Sequence, residues 1–162
     1  MSAADAYYVT SPIYYVNDSP HIGHAYTTLA CDALARFQRL DGRRVYFLTG
    51  TDEHGQKVEK AAEEAGVDPQ TFTDQVSGRF RDLAAQLDIS NDDFIRTTEA
   101  RHKRSVSALW ERLVQSGDIY LGKYAGWYSV RDEAFYTETE LVDGKAPTGA
   151  PVEGVAEPSY FF

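Results

Sequence analysis

Apolar positions in the first part of the chain alternate between the spacing of strands and the spacing of helices. Aromatic and β-branched residues cluster at 6–10 and 45–49, which predicts two short buried strands. Between them one helix face is predicted, formed by Leu29, Ala33, Phe37 and Leu40. Asp41-Gly42 ends that helix. Strand, helix and strand in succession predict a βαβ unit, so we expect an α/β fold with a parallel sheet.

Further helices and another strand are predicted along the next part of the chain. A helix at 56–65 stops at Gly66, and the next begins near Pro69, a residue that suits the first helical turn. Its apolar face comprises Phe72, Val76, Phe80, Leu83 and Leu87. Residues 93–97 fit a short strand, and a helix at 101–116 follows. The apolar side of that helix comprises Val106, Leu109, Trp110, Leu113 and Val114. We interpret these apolar faces as core.

The pattern changes after Gly117. Residues 119–142 are dense in Tyr, Trp, Phe and Thr and are interrupted by glycines, which predicts small antiparallel strands. The stretch 144–154 is rich in turn-forming Gly and Pro. An apolar, strand-like run such as 159–162 seldom ends a natural domain, because its partners would have to lie elsewhere. We therefore expect the chain to be part of a longer protein.

Composition narrows the class of protein. The chain has 162 residues, of which 43% are hydrophobic and 25% charged, as in an ordinary globular protein. No apolar run approaches the roughly 20 residues that a membrane-spanning helix needs, so no membrane partner is expected. Cys31 is the single cysteine, which excludes an internal disulfide and a zinc site built on several cysteines. A reducing cytoplasm fits this composition.

The formal net charge of −9 bears on possible partners. Neutralising the phosphates of a nucleic acid needs Lys and Arg, and acidic residues outnumber them here. We interpret the acidic surface as solubilising. A nucleic acid partner is compatible with this charge if it docks mainly on parts outside the chain.

The first candidate site is the sequence Pro20-His21-Ile22-Gly23-His24, between the first strand and the first helix. Ligands of parallel α/β sheets bind beyond the carboxyl ends of the strands, and a helix N-terminus favours phosphate. His21 and His24 can add donors for an anion, while Gly23 lets a base or ribose approach the backbone. Two surface histidines, or a metal-binding pair at helical spacing, are alternative interpretations.

Polar residues also follow the second strand, at 49–55. Consecutive ionisable side chains are costly to bury, so Asp52, Glu53 and His54 indicate the edge of a site. Asp52 suits an ammonium group, and His54 suits a donor or an acid–base role. A polar turn in which Asp52 caps the next helix explains the pattern equally well.

Two adjacent tyrosines, Tyr14 and Tyr15, precede the histidine pair in a predicted loop. They suit the aromatic wall of a small apolar pocket. Without other information, packing against the following helix is the favoured alternative.

Three separated segments resemble one family. Residues 10–24 resemble the "HIGH" signature of the class I aminoacyl-tRNA synthetases. The segments 50–57 and 126–136 are similar to the methionine-specific members, and the similarity extends over about residues 7–162. The resemblance implies a Rossmann-like catalytic domain that is split by a connective insertion.

The resemblance also implies how the chain is divided. Residues 5–117 would be the first half of the catalytic domain, 118–157 a small β-rich insertion and 158–162 the start of the returning strand. The second catalytic half, with the family's "KMSKS" loop, and the anticodon-binding domain would lie outside this chain. We therefore expect the chain alone to be inactive, because half of the phosphate site is missing.

The implied activity is that of a methionine–tRNA ligase. Methionine and ATP, with Mg²⁺, react to give methionyl-adenylate and pyrophosphate, and methionine is then transferred to the 3′ end of its tRNA. The resemblance assigns catalysis to His21 and His24, which bind ATP together with Gly23. It assigns the methionine site to Ile13, Tyr15 and Asp52.

Other functions are compatible with the same residues. Another class I synthetase, or a small nucleotidyltransferase, would use the histidine pair with ATP and a different acid. A binding module would retain affinity for methionine or a nucleotide without turnover.

Many members of this family carry a zinc knuckle in the insertion, built on Cys-Pro-x-Cys. The matching stretch here, 145–153, has no Cys and no His, whereas a structural zinc needs about four N or S ligands. We predict an insertion without structural zinc. Metal analysis of the purified protein checks this, and one zinc per chain would refute it.

Overall fold

The computed structural model describes residues 5–162, which form two compact units, one ending at Lys103 and the other comprising Arg104–Phe162. In chain order the elements are β1 (Ala6–Thr10), β2 (Tyr14–Tyr15), α1 (Ile22–Leu40), β3 (Arg44–Asp52), α2 (Gln56–Ala65), α3 (Pro69–Gln86), β4 (Asp93–Arg96), α4 (Ala100–Ser116), β5 (Tyr120–Ser129), β6 (Ala134–Tyr136), a 3₁₀ turn (Glu138–Glu140) and β7 (Glu153–Phe161). The α/β fold class is confirmed. The predicted division of the chain at residues 117 and 157 stays a prediction.

Strand β3 is the centre of the sheet in the first unit. It pairs in parallel with β1 from Ala6↔Arg44 to Thr10↔Leu48, with β2, and with β4. The predicted βαβ unit is therefore confirmed. Strand β3 runs to Asp52, beyond the predicted end at residue 49, because its last residues pair with β2 on one side and β4 on the other. Tyr14 and Tyr15 accordingly form a strand, which corrects the prediction of a loop.

Helix α2 begins and ends at the predicted positions, and α3 begins where it was predicted. Helix α2 ends before Gly66, and α3 begins at Pro69. Asp68 caps α3, since its carboxylate accepts a hydrogen bond from the backbone N–H of Thr71 at 3.0 Å. Turn chemistry within a few residues is enough to fix these boundaries.

The hydrophobic core of the first unit lies between α2, α3 and the second strand. Its buried members are Tyr14, Val16, Val58, Val76 and Phe80, and Phe72 and Phe94 pack against them. The predicted apolar face of α3 is confirmed at Phe72, Val76 and Phe80. Phe47 of β3 is also fully buried.

The apolar stripe of α1 is exposed among residues 5–162, so within this chain its prediction as core was wrong. Leu29, Phe37 and Leu40 expose 43%, 60% and 89% of their surface. The buried residues of this helix are instead the small or polar Thr28, Asp32 and Ala35. Hydrogen bonds explain the choice of face, since the Thr28 hydroxyl lies 2.7 Å from that of Tyr14, and Ser90 donates to Asp32.

Helix α4 likewise buries none of its residues among those described. The predicted apolar side is largely exposed, at Val106, Leu109, Trp110 and Val114. The helix itself matches the predicted bounds within one residue. The sequence therefore identified the helix and its apolar side, but not whether anything covers that side.

The second unit contains the predicted antiparallel strands. Strand β5 lies in the middle, paired with β6 and, along nearly its whole length, with β7. Aromatic rings on one face of this sheet contact each other, and Tyr124 lies 4.5 Å from Phe135 between ring centroids. No helix within residues 5–162 combines the length and apolarity that crossing a membrane requires.

Gly50 permits the close pairing of β3 with β4, and this generates a prediction. A Cβ at this position would lie 2.0 Å from the carbonyl oxygen of Ile95, the residue opposite in the register. We expect Gly50→Ala to lower the free energy of unfolding by about 3 kcal/mol, because backbone must move. Chemical denaturation measures this.

Gly78 provides the matched control. It lies within α3, and a Cβ there meets nothing within 4 Å. Gly78→Ala should therefore stabilise the protein by about 0.5–1 kcal/mol. Equal effects of the two substitutions would contradict the steric account of Gly50.

Candidate active site

The histidine pair forms the N-terminal cap of α1. His21 is the capping residue, and its Nδ1 accepts a hydrogen bond from the backbone N–H of Gly23 at 3.1 Å. The Nδ1 of His24 accepts in return from the backbone N–H of His21, also at 3.1 Å. The two rings stack with their centroids 3.8 Å apart. Two of the unpaired donors of the first turn are thereby satisfied.

This capping arrangement assigns the tautomer of both rings. A neutral imidazole accepts through one nitrogen and donates through the other, so accepting at Nδ1 leaves the proton on Nε2. Both Nε2–H groups therefore remain for a ligand beside the helix N-terminus, which itself favours an anion. Among the described residues, no group of three His, Cys, Asp or Glu gathers into a metal site.

Gly23 makes room for the ring of His21. A Cβ at this position would lie 2.9 Å from Cε1 of His21 and 3.1 Å from its Nδ1. Any larger residue would push the ring away from the cap. The glycine thus has a role inside the motif, in addition to the close approach of a nucleotide that the sequence predicted.

Aromatic rings hold His24 from the side of the core. Tyr14 and Phe80 meet its ring at centroid distances of 4.9 and 5.1 Å, and Tyr14 stacks on Phe80 at 5.5 Å. Tyr14 therefore packs against the helix, as the alternative interpretation held. Burial lowers the pKa of His24 below its ordinary value, and the neighbouring His21 lowers it further.

Asp52 lies on the opposite face of β3 from the core. Side chains alternate along a strand, and Phe47, Thr49, Thr51 and Glu53 are the buried set. Asp52 pairs with Tyr15, and no hydrogen bond or ion pair within residues 5–162 involves its carboxylate. The N-cap of α2 is Gly55, without a side-chain hydrogen bond, so the interpretation of Asp52 as a helix cap was wrong.

Two groups of candidate residues result. His21, Gly23 and His24 form one at the start of α1. Tyr15 and Asp52 form the other, with the Tyr15 hydroxyl 3.2 Å from where a Cβ of Gly55 would stand. The two-residue strand β2 connects the groups, because Tyr14 touches His24 and Tyr15 pairs with Asp52. Ile13, directly before this strand, is 41% exposed, and His54 is also exposed.

Glu53 was expected at the exposed edge of a site, but it is buried. Its side chain is fully buried and paired with Arg96, whose Nε lies 2.6 Å from Oε1. Burial raises the pKa of the Glu53 carboxyl, but hydrogen bonds from Arg96, Ser77, Thr98 and Thr51 outweigh that effect, so its pKa is lowered overall. Arg96, Thr97 and Thr98 lie at the end of β4 and just after it, and parallel strands end at the same edge, so only the pairing of β3 with β4 brings these side chains to Glu53.

The loop at 145–153 in the second unit, predicted to lack structural zinc, is held by hydrogen bonds. Thr148 donates to Asp132, and Arg131 donates to the backbone carbonyl of Thr148 at 2.9 Å. Ala146 and Ala150 are buried, and their backbones bond to each other at 3.0 Å. The absence of zinc remains a prediction for metal analysis.

The capping role of His24 predicts acid sensitivity. Its pKa is lowered in the folded chain, so the unfolded chain binds the proton more readily. The stabilisation is present above the ordinary pKa of about 6.5 and is lost as the pH falls towards the lower folded value. Thermal unfolding between about pH 7.5 and 5.5 should show a falling midpoint, and His24→Ala should remove part of that fall. An identical pH dependence in both proteins would contradict the cap.

Known proteins resemble this chain throughout its length. The family model described as tRNA synthetases class I (M) matches residues 7–155. A Rickettsia conorii protein named methionine–tRNA ligase is 66% identical over 159 residues, which are 98% of this chain and 31% of that protein. The chain thus spans about a third of the length of such curated relatives.

Solved structures give the same picture. The methionyl-tRNA synthetase of Mycobacterium tuberculosis in complex with methionyl-adenylate matches with a TM-score of 0.89 and 52% identity, covering 98% of this chain and 32% of that one. The LeuRS of Agrobacterium radiobacter K84, in a ternary complex with tRNA and LeuAMS, matches with a TM-score of 0.78 and 25% identity, covering 99% of this chain and 21% of that one. With the family model matched over residues 7–155, the chain belongs to the class I (M) family of tRNA synthetases.

Proposed function

We propose that the protein carrying this chain is a methionine–tRNA ligase. It activates methionine with ATP to give methionyl-adenylate and pyrophosphate, and then transfers methionine to the 3′ end of its tRNA. The observation that carries the proposal is the 66% identity, over 98% of the chain, to a protein of that name. The complex of the Mycobacterium tuberculosis enzyme with methionyl-adenylate supports the first step.

His21 and His24 act on the α-phosphate of ATP. The methionine carboxylate is already ionised and attacks phosphorus directly, so the protein supplies position and charge stabilisation rather than a nucleophile. The two Nε2–H groups present donors, and the N-terminus of α1 presents a partial positive charge, to the oxygens that carry negative charge in the transition state. A preorganised donor of this kind contributes about 3 kcal/mol. Gly23, at the first turn, lies under the adenosine.

Asp52 binds the ammonium group of methionine. Its carboxylate has no competing partner among residues 5–162, which supports this role. Tyr15 and Ile13 line the pocket for the thioether side chain, Ile13 partly through its backbone. Both side chains are partly exposed, at 38% and 41%, so apolar surface is available to a ligand.

The remaining substrates bind largely through other parts of the protein. Mg²⁺ accompanies ATP and is held mainly by its phosphates, as is usual for this cation. The net charge of −9 favours docking of the tRNA mainly outside this chain. The protein functions in the cytoplasm, a reducing compartment with which the single cysteine is consistent.

The first unit supplies one half of a split catalytic domain. Strand β1 pairs only with β3 among the described strands, which leaves its other edge open. The apolar stripe of α1 is exposed as well, and stripes of this kind pack against another element in complete domains. We propose that the second half of the catalytic domain covers both.

The role of His24 is tested by His24→Ala in the full-length protein. Losing one donor to the transition state should lower kcat about a hundredfold and change the KM for methionine little, since His24 acts on the phosphate. Methionine-dependent ATP–pyrophosphate exchange measures both constants.

His102→Ala serves as the control, because His102 lies on α4 outside the candidate site. It should retain the kcat of the unmodified protein. Normal turnover in His24→Ala would remove His24 from catalysis. Exchange that depends on another amino acid instead of methionine would overturn the proposed substrate.

A further inference from the structure

The two adjacent carboxylates at the end of β3 have opposite surroundings. Oε1 of Glu53 accepts hydrogen bonds from Nε of Arg96 at 2.6 Å, from the Thr51 hydroxyl at 2.9 Å and from Ser77. Its Oε2 accepts from Nη2 of Arg96 at 2.9 Å and from Thr98. Five donors therefore saturate a carboxylate that is fully shielded from solvent. Asp52, the residue before it, makes none of these contacts.

Three of the four donating residues come from separate elements, and Thr98 lies in the turn after β4. Thr51 belongs to β3 itself, Ser77 to α3, and Arg96 to the end of β4. The backbone N–H of Glu53 also donates to the Thr97 hydroxyl at 2.9 Å. Arg96 extends the connection, since it pairs with Asp74 of α3 as well. Glu53, the first residue after β3, is thereby held both through its side chain and through its backbone N–H.

Strand alternation transmits this constraint to Asp52. With Thr51 and Glu53 both held on the buried face, the residue between them must point to the other face. There Asp52 lies beside Tyr15, its partner in the register. A bidentate Arg–carboxylate pair fixes orientation as well as distance, which a single surface hydrogen bond does not.

We propose that Glu53, held by Arg96, is a positioning residue that sets the orientation of Asp52 towards the ammonium group of the amino acid substrate. The inference rests on the proposed function, in which Asp52 binds that group. Glu53 itself touches no substrate and acts through its neighbour. Of the two adjacent carboxylates, Asp52 binds the ligand and Glu53 fixes the position of Asp52.

A double-mutant cycle on the full-length protein tests this proposal, with ATP–pyrophosphate exchange as the assay. Glu53→Gln keeps the shape but removes the charge, and should raise the KM for methionine about tenfold. The KM for ATP should stay within about twofold, because the histidine pair is a separate group. Asp52→Asn should raise the KM for methionine further. Adding Glu53→Gln to Asp52→Asn should have no further effect, because Glu53 acts only through Asp52.

A structural control separates positioning from general destabilisation. Asp32 is also buried and accepts from Ser90 and Arg36, yet it lies about 12 Å along α1 from His24. Asp32→Asn should lower the unfolding midpoint without raising the KM for methionine selectively. If Glu53→Gln does not fold, Thr98→Val removes one donor but leaves Glu53 paired with Arg96, and should raise that KM about threefold.

The outcomes distinguish the inference from the proposed function. If Asp52→Asn leaves the KM for methionine unchanged, Asp52 does not bind the substrate and its place in the proposed function fails. If Asp52→Asn raises that KM but the effect of Glu53→Gln multiplies with it, the substrate role stands and the positioning role is overturned. Equal rises in both KM values for Glu53→Gln would also overturn it.

Discussion

Parallel pairing along β3 is the constraint on which the rest of the molecule depends. Strands β1, β2 and β4 all pair with it, so their carboxyl ends meet at one edge. The helix that begins with the histidine pair, the short strand with Tyr15, and the two carboxylates all start or end at that edge. Gly50 keeps the pairing with β4 tight enough for Arg96 to reach Glu53. This register brings Tyr15 beside Asp52 and places Arg96 within reach of Glu53.

The histidine pair combines a structural and a chemical task. Each Nδ1 satisfies a backbone donor of the first turn of α1, and the same bond fixes the proton on Nε2. A protonated ring carries a hydrogen on both nitrogens and could not accept through Nδ1. Acid would therefore weaken the helix cap and, at the same time, change the hydrogen-bond donors that the rings offer to a ligand. Tyr14 and Phe80 shield His24 and favour its neutral form. Local stability and ligand chemistry are therefore coupled at this site.

Buried polar contacts decide orientation at two places in the first unit. Asp32 joins α1 to Ser90, and Glu53 joins β3 to Arg96, so that each carboxylate faces inward with hydrogen-bonded partners. Such pairs are costly to break, because the group left behind stays buried without its partner. They turn the apolar stripe of α1 outward and the carboxylate of Asp52 away from the core. Hydrogen bonds of buried polar side chains, more than the pattern of apolar residues, decide which face of α1 is buried and to which side of β3 Asp52 points.

The sequence alone determined the four long helices, the strands other than the two-residue β2, the parallel βαβ unit, the helix boundaries at Gly66 and Pro69, and the position of both motifs after strands. These features follow from local spacing and turn chemistry, which neighbouring residues carry. Only the tertiary structure decided that Glu53 is buried while Asp52 is not, and that α1 buries Thr28 and Asp32 instead of Leu29 and Phe37. Burial depends on partners far along the chain: Arg96 is 43 residues from Glu53, and Ser90 is 58 from Asp32. A local pattern holds no information about such partners.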